Sequence, residues 1–176
     1  WERENIRERT ESGLRKAKES GKWLGQHPPY GYKKNEKTLM LEIAPKEAKY
    51  VKLFFKWFIE GKGMSSGELT KKVNGLRILI KTAILGKLKK GQNKYWWHKS
   101  TLCRILRREM YTGQYKDVDG ALRSAPKIIS QELFNKAKRQ LVKNSEFSPR
   151  KSKNTYLFKS KIICGKCGRK YIGNKR

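Results

Sequence analysis

Between residues 45 and 60 the apolar positions recur every three to four residues, so that Val51, Phe54, Phe55, Phe58 and Ile59 share one stripe of a helix. Pro45 suits its first turn, and Gly61 and Gly63 stop it. The same period, over a shorter stretch, turns Leu69 and Val73 inward across residues 66–74, with Gly75 as the stop. KSTLCRILRREM, residues 99–110, predicts a third helix. Ser100 is its expected N-cap; Leu102, Cys103, Ile105, Leu106 and Met110 face inward, and Thr101, Arg104, Arg107 and Arg108 outward. A fourth helix, residues 131–144, directs Leu133, Phe134, Ala137 and Leu141 to the core. Residues 1–20 predict a helix of another kind. Only Ile6 and Leu14 are clearly apolar, so it has no stripe to bury. Glu11 and Arg15 are spaced as a supporting i,i+4 pair. A helix charged all round bridges domains or lies along a partner.

The remaining segments are not helical by pattern. Residues 111–130 carry turn signals (Tyr-Thr-Gly, Asp-Gly) between short β-prone runs and predict a hairpin, in which Asp117 and Asp119 read as ordinary turn residues. Residues 76–95 begin apolar and end KLKKGQNKY, a loop or wing. Residues 145–155 read as a linker, and a small module begins at Tyr156. GKWLGQHPPYGY, residues 21–32, has too much Gly and Pro for a helix and too many aromatics for a loose linker. The expected fold is therefore mainly α with a small β-hairpin. Two short helices precede a third with outward arginines, which is the order of a helix-turn-helix.

Charge then narrows the partner. Lys and Arg number 44 against 15 Asp and Glu, a net charge of +29, which calls for a polyanion. Leu, Ile, Val and Phe make up about 22% of the chain, enough for real but thin cores. No apolar run reaches membrane-spanning length and no signal-peptide pattern opens the chain, which favours nucleic acid over membrane. From Leu69 to Arg108 there is no acidic residue but there are 12 basic ones. If the third helix enters a major groove, Lys99, Ser100, Thr101 and Arg104 lie toward base edges, and Arg107 and Arg108 toward phosphate. Lys89 and Lys90 join the same basic face, and Arg9 and Arg15 extend it onto the first helix. His98 is either a phosphate contact or a local cap. A basic RNA-binding module with a zinc knuckle is the alternative reading.

Candidate metal chemistry is confined to ICGKCG, residues 163–168. Cys164 and Cys167, each followed by Gly, have the form of a zinc-ribbon knuckle supplying half a tetrahedral site. The spacing alone also fits a redox pair, but no βαβ pattern surrounds it. Cys103 reads as a core residue, so zinc is expected to be weak, absent or shared. Three cysteines exclude a disulfide framework. No nucleophile constellation, phosphate-binding loop or dinucleotide turn is found.

WERENIRERTESGL, GKWLGQHPPYGY, the helix that contains Glu47-Ala48-x-x-Val51 and ends in Gly, STLCRILRREMYTGQY, IISQELF and ICGKCG, in that order, resemble the large serine recombinases, the phage integrases and transposon recombinases. In that family a resolvase-like domain carries the serine that cleaves DNA through a phosphoserine link. A long helix joins it to a recombinase DNA-binding domain, and a zinc ribbon follows. The resemblance implies that residues 1–20 are the end of the connecting helix, 21–32 an extended strap along a minor groove, 33–144 the recombinase domain and 156–176 the start of the zinc ribbon. The catalytic domain is then absent, and the fragment inactive alone. Lys22, Gln26 and His27 are the polar types that narrow minor grooves accept, and Trp23 is counted with them. Trp23, Tyr30 and Tyr32 also serve as anchors on the lobe behind, with Gly21, Gly25 and Gly31 allowing close approach. A packed strap without DNA contact is the competing reading. The implied partners are attachment-site duplex and other recombinase subunits, with no membrane. The implied compartment is the cytoplasm, nucleoid-associated, in a bacterial or phage-encoded protein.

Overall fold

A computed structural model describes residues 1–60, 63–116, 120–146, 161–169 and 171. Two compact units are present, Trp1–Asn144 and Ser145–Arg176. The expected linker and the first residues of the module, 147–160, lie outside the described residues, as do Asp117, Asp119 and Gly61.

The first unit opens with helix α1, Glu2–Glu19, which buries none of its residues. Its lack of an apolar stripe is the reason: there is nothing for it to bury. Glu11 pairs with Arg7 at 2.8 Å, one turn before it, rather than with the expected Arg15. This order places the carboxylate after the cation on an exposed helix face, where the pair contributes little. Strand β1, Tyr32–Lys34, then pairs antiparallel with β2, Leu41–Ile43, with Tyr32 opposite Ile43. This first hairpin was not expected. Its strands are only three residues long, too short for an alternating pattern to register in the sequence. A second hairpin, β3 (Gln114–Lys116) with β4 (Leu122–Ser124), lies where turn signals predict one.

Helices α2 (Pro45–Ile59), α3 (Ser66–Gly75) and α5 (Lys99–Arg107) pack against one another around the core. Val51, Phe54, Phe55 and Phe58 of α2, Leu69 and Val73 of α3, and Leu102, Ile105 and Leu106 of α5 are buried. Helix α6, Gln131–Glu146, adds Phe134, Ala137 and Leu141. Helix α3 starts with a capping box, in which Ser65 and Glu68 each satisfy the other's backbone N–H. Helix α5 starts differently from expectation. His98 holds the N-cap position without a side-chain bond, and Ser100 is an exposed first-turn residue. The helix also stops at Arg107, and Glu109–Thr112 form a 3-10 turn that still buries Met110 and Tyr111. Residues 76–98 connect α3 to α5 through a single four-residue helix α4, Lys81–Ile84, so the connection is far longer than a helix-turn-helix turn.

The second unit, within its described residues, is a small turn. Cys164 N–H donates to Arg169 O at 2.8 Å, Gly168 N–H to Cys164 O at 2.9 Å, and Tyr171 N–H to Ile162 O at 2.9 Å. Gly168 sits at φ +65°, a conformation costly to a residue with a Cβ.

Candidate nucleic-acid interface

The segment 21–32 is neither fully extended nor loose. It bends at Gly25–His27, turns at Tyr30–Gly31 and has become strand β1 by Tyr32. Its far end is bound into the core. Gly31 lies at φ +96°, and a Cβ there would sit 3.0 Å from both Ile128 Cδ1 and Val51 Cγ2. The Gly31 N–H donates to Glu47 Oε2 at 2.9 Å. Lys81 Nζ donates to both oxygens of Glu47 at 2.8 Å and to Tyr32 O at 2.7 Å. Glu47 is therefore a buried carboxylate whose charge is met by a cation and a backbone donor, the condition under which burial is tolerated.

Two tyrosine hydroxyls complete the anchor. Tyr32 Oη donates to Pro126 O at 2.8 Å and approaches Met110 O at 3.2 Å, while Tyr111 Oη donates to Tyr30 O at 2.8 Å. Their rings stack with planes 6° apart. Burial pushes the hydroxyl pKa of Tyr30, Tyr32 and Tyr111 well above the ordinary phenol value, so all three stay protonated. Trp97 closes the cluster edge-on to Tyr30 at 4.8 Å and to Phe54 at 5.4 Å.

The near end of the segment divides. Lys22 and Gln26 are exposed and His27 is half-buried. Trp23 turns inward. It packs beside the core with its indole Nε1 enclosed, and its ring fills the space a Cβ at Gly25 would take. Gly25 and Gly31 thus make room for the protein's own side chains rather than for an outside partner.

With the strap end fixed, helix α5 stands beside it across a groove of about 300 Å³. Pro28 and Pro29 of the strap line it together with His98, Thr101, Arg104 and Arg108. Among the described residues no carboxylate pairs with Arg104, Arg107 or Arg108. The nearest acid in sequence, Glu109, is drawn away to Lys138 at 3.7 Å. The arginines are therefore available to an anion. Lys99, Ser100 and Arg107 are exposed on the same helix but do not line this groove. Lys89 and Lys90 are exposed in a turn closed by Gln92. Lys22 lines a different hollow with Tyr115 and Arg123 of the second hairpin, and Arg15 a third with Lys18. Arg9 is exposed on α1. The predicted residues thus fall into one converging group around α5 and several scattered cations.

Two residues on this face escape a reading of the sequence. Lys81 belongs to the acid-free run, yet its charge is spent on Glu47. Trp96, 53% exposed, lines the groove although its neighbour Trp97 is buried.

A model of the Recombinase family matches residues 45–144, more than half of the chain. The chain belongs to the recombinase family. The recombinase segment takes in α5, which lines the groove, together with α2 and α3, which pack against it. The chain is also similar to a protein of Bacillus subtilis (strain 168) named "Putative DNA recombinase", at 29% identity over 201 aligned residues. The match covers all of this chain and 39% of that protein, so the chain spans about two fifths of the length of this curated relative. Two solved structures share the recombinase fold of mostly helices with two small hairpins. One, described as "Crystal Structure of a LSR-DNA Complex", has a TM-score of 0.67 and 20% identity over 94% of this chain and 52% of that one. The other, from "Sequence Requirements of the Listeria innocua prophage attP site", has a TM-score of 0.64 and 21% identity over 93% and 64%. No described helix of this recombinase chain is long and apolar enough to cross a membrane.

The cysteine pair stands apart in the second unit. The Cys164 thiol is pulled down to about 7, first by the N–H groups of Cys167 and Lys166, then by the Cys167 and Tyr171 side chains. Backbone donors aimed at a sulfur are what a metal-binding thiolate needs. No third His, Cys, Asp or Glu joins them among the described residues. Cys103 is half-buried on α5, in the other unit.

Proposed function

We propose that this chain binds double-stranded DNA as part of a large serine site-specific recombinase, recognising one half of an attachment site. The observation that carries the reading is the groove lined by Pro28 and Pro29 of the strap and by Arg104 and Arg108, which no carboxylate pairs among the described residues. A polyanion fits arginines without carboxylate partners, and the overall charge of +29 supplies long-range attraction. Helix α5 approaches the major groove, with Lys99, Ser100, Thr101 and Arg104 toward bases and Arg107, Arg108 and His98 toward phosphate. Lys22, Gln26 and the half-buried edge of His27 face the minor groove, while Lys89, Lys90, Arg9 and Arg15 contribute field and phosphate contacts. Trp23 keeps a packing role. In the whole protein, strand cleavage by a serine and contacts with other recombinase subunits belong to regions that these residues position on DNA.

Cys164 and Cys167 supply two thiolates of a zinc site whose remaining ligands are other groups, a structural rather than a catalytic role. Zinc content measured per chain should fall in a Cys164→Ser variant. Unchanged metal content would remove this part of the reading.

The test is affinity for a cognate half-site against random duplex and against structured RNA at fixed salt. A preference of about 10³ or more for the half-site is expected. Equal affinity for the two duplexes, or tighter binding of RNA, overturns the proposal. Arg104→Ala should weaken the specific site more than random DNA. Lys22→Ala should weaken both alike and reduce the salt dependence by about one unit of slope.

A further inference from the structure

Trp96 is a large apolar side chain left 53% exposed in the groove that Arg104 and Arg108 also line. Its backbone is nevertheless held firmly. Trp97 N–H donates to Asn74 Oδ1 at 2.8 Å, Asn74 Nδ2 donates back to Trp97 O at 3.2 Å, and Trp97 Nε1 donates to Ile78 O at 2.9 Å. On the other side, Trp96 N–H donates to Asn93 O at 3.3 Å. Trp97 is locked inward by these bonds, whereas Trp96 follows directly on the turn closed at Asn93 and is left exposed. Trp96 thus stands preorganised three residues before the start of α5, lining the same groove as Thr101 and Arg104.

We infer that Trp96 reads a thymine in the major groove, its indole face packed on the C5 methyl. This rests on the proposal that helix α5 approaches the major groove of duplex DNA. The chemistry selects thymine among the four bases. An indole offers an apolar face and one N–H donor, with no acceptor. Thymine presents a methyl and the O4 acceptor on its major-groove edge, matching both. Cytosine presents an amino donor against the indole donor and has no methyl. Adenine likewise presents an amino donor. Guanine presents only acceptors, which the neighbouring arginines suit better.

The experiment uses the whole chain and duplexes recovered by it from a random-sequence pool. Each thymine is replaced singly by deoxyuridine, which removes the methyl and leaves pairing intact. At one or two positions the replacement should weaken wild-type binding about fourfold, which is about 0.8 kcal/mol. At those same positions it should leave Trp96→Ala binding unchanged, a direct measure of interaction between the indole and the methyl. Trp96→Phe should keep part of the discrimination. Because Trp96 is exposed, its urea midpoint should match wild type, which separates recognition from folding. Equal deoxyuridine penalties in wild type and Trp96→Ala overturn the inference, as does an alanine variant weakened alike on every duplex, the signature of a sugar or phosphate contact. Failure of the DNA reading itself looks different: no duplex is enriched from the pool at all, and both proposals fall.

Discussion

The ion pair between Glu47 and Lys81 makes a sharp prediction because its two ends differ in their access to water. The Glu47 side chain is 7% exposed and the Lys81 side chain 17%, with Lys81 bordering the open groove. In a Glu47→Gln variant the lysine can swing its ammonium into that groove on a flexible stem, and the glutamine oxygen still accepts from Gly31. The cost is then that of one weakened charge-assisted bond, about 1–2 kcal/mol. In Lys81→Met the carboxylate is stranded. It cannot reach water from the first turn of α2, and among the described residues the Gly31 N–H is the one donor left to it. An uncompensated buried charge costs about 3–5 kcal/mol. Against a total stability of about 5–15 kcal/mol, the methionine variant should lose about a fifth or more of its stability and melt about 10 °C lower. The double variant Glu47→Leu with Lys81→Met removes both charges at similar volume and should be more stable than Lys81→Met alone. Urea unfolding followed by tryptophan fluorescence reads all three. A Lys81→Met variant no less stable than Glu47→Gln, or a double variant worse than either single, would refute the reasoning.

Three further outcomes follow from the same geometry. Tyr32→Phe removes the hydroxyl that donates to Pro126 O and takes that donor from a part-buried carbonyl, so it should cost about 0.5–1.5 kcal/mol by urea unfolding. Gly31→Ala meets Ile128 and Val51 at 3.0 Å in a left-handed conformation; a loss of about 1–3 kcal/mol is expected in thermal melts, and no loss would show that the turn relaxes freely. Ser65→Ala breaks the capping box of α3 at a cost of about 1 kcal/mol. The Ser65 N–H holds the Glu68 carboxyl below its ordinary range, so the stabilisation from that carboxylate is present above the usual glutamate pKa and disappears as pH falls through the lowered one. A wild-type stability curve that showed no such acid-side loss, relative to a Glu68→Gln variant, would contradict that sign.

The helices were legible because each carries its own evidence. Phe54, Phe55 and Phe58 repeat at helical spacing within one segment, and burial follows from that spacing alone. The absence of any buried residue on α1 was legible for the converse reason. What escaped the sequence is non-local. Glu47 and Lys81 stand 34 residues apart, and each looks like an ordinary surface charge in its own window. The Trp96–Trp97 doublet tells a reader that one ring faces in and one out, but the choice is made by Asn74, which is 23 residues from Trp97. The first hairpin is likewise decided by partners rather than by its short strands.

The glycines of GKWLGQHPPYGY carry the larger lesson about the candidate site. Their frequency reads equally well as room for an approaching partner or as room for the protein's own packing. Distances decide for the second at Gly25 and Gly31, where the space is filled by Trp23, Ile128 and Val51. The segment therefore has two ends with separable chemistry. At residues 30–32 every donor and acceptor named above is engaged with the core, so substitutions there must act on stability and on the groove together. At Lys22 and Gln26 the side chains are exposed and make no contact that the fold needs, so substitutions there can change affinity while leaving the melting temperature where it was. A segment built this way fixes the wall of the groove from one end and leaves the other end free to meet a ligand.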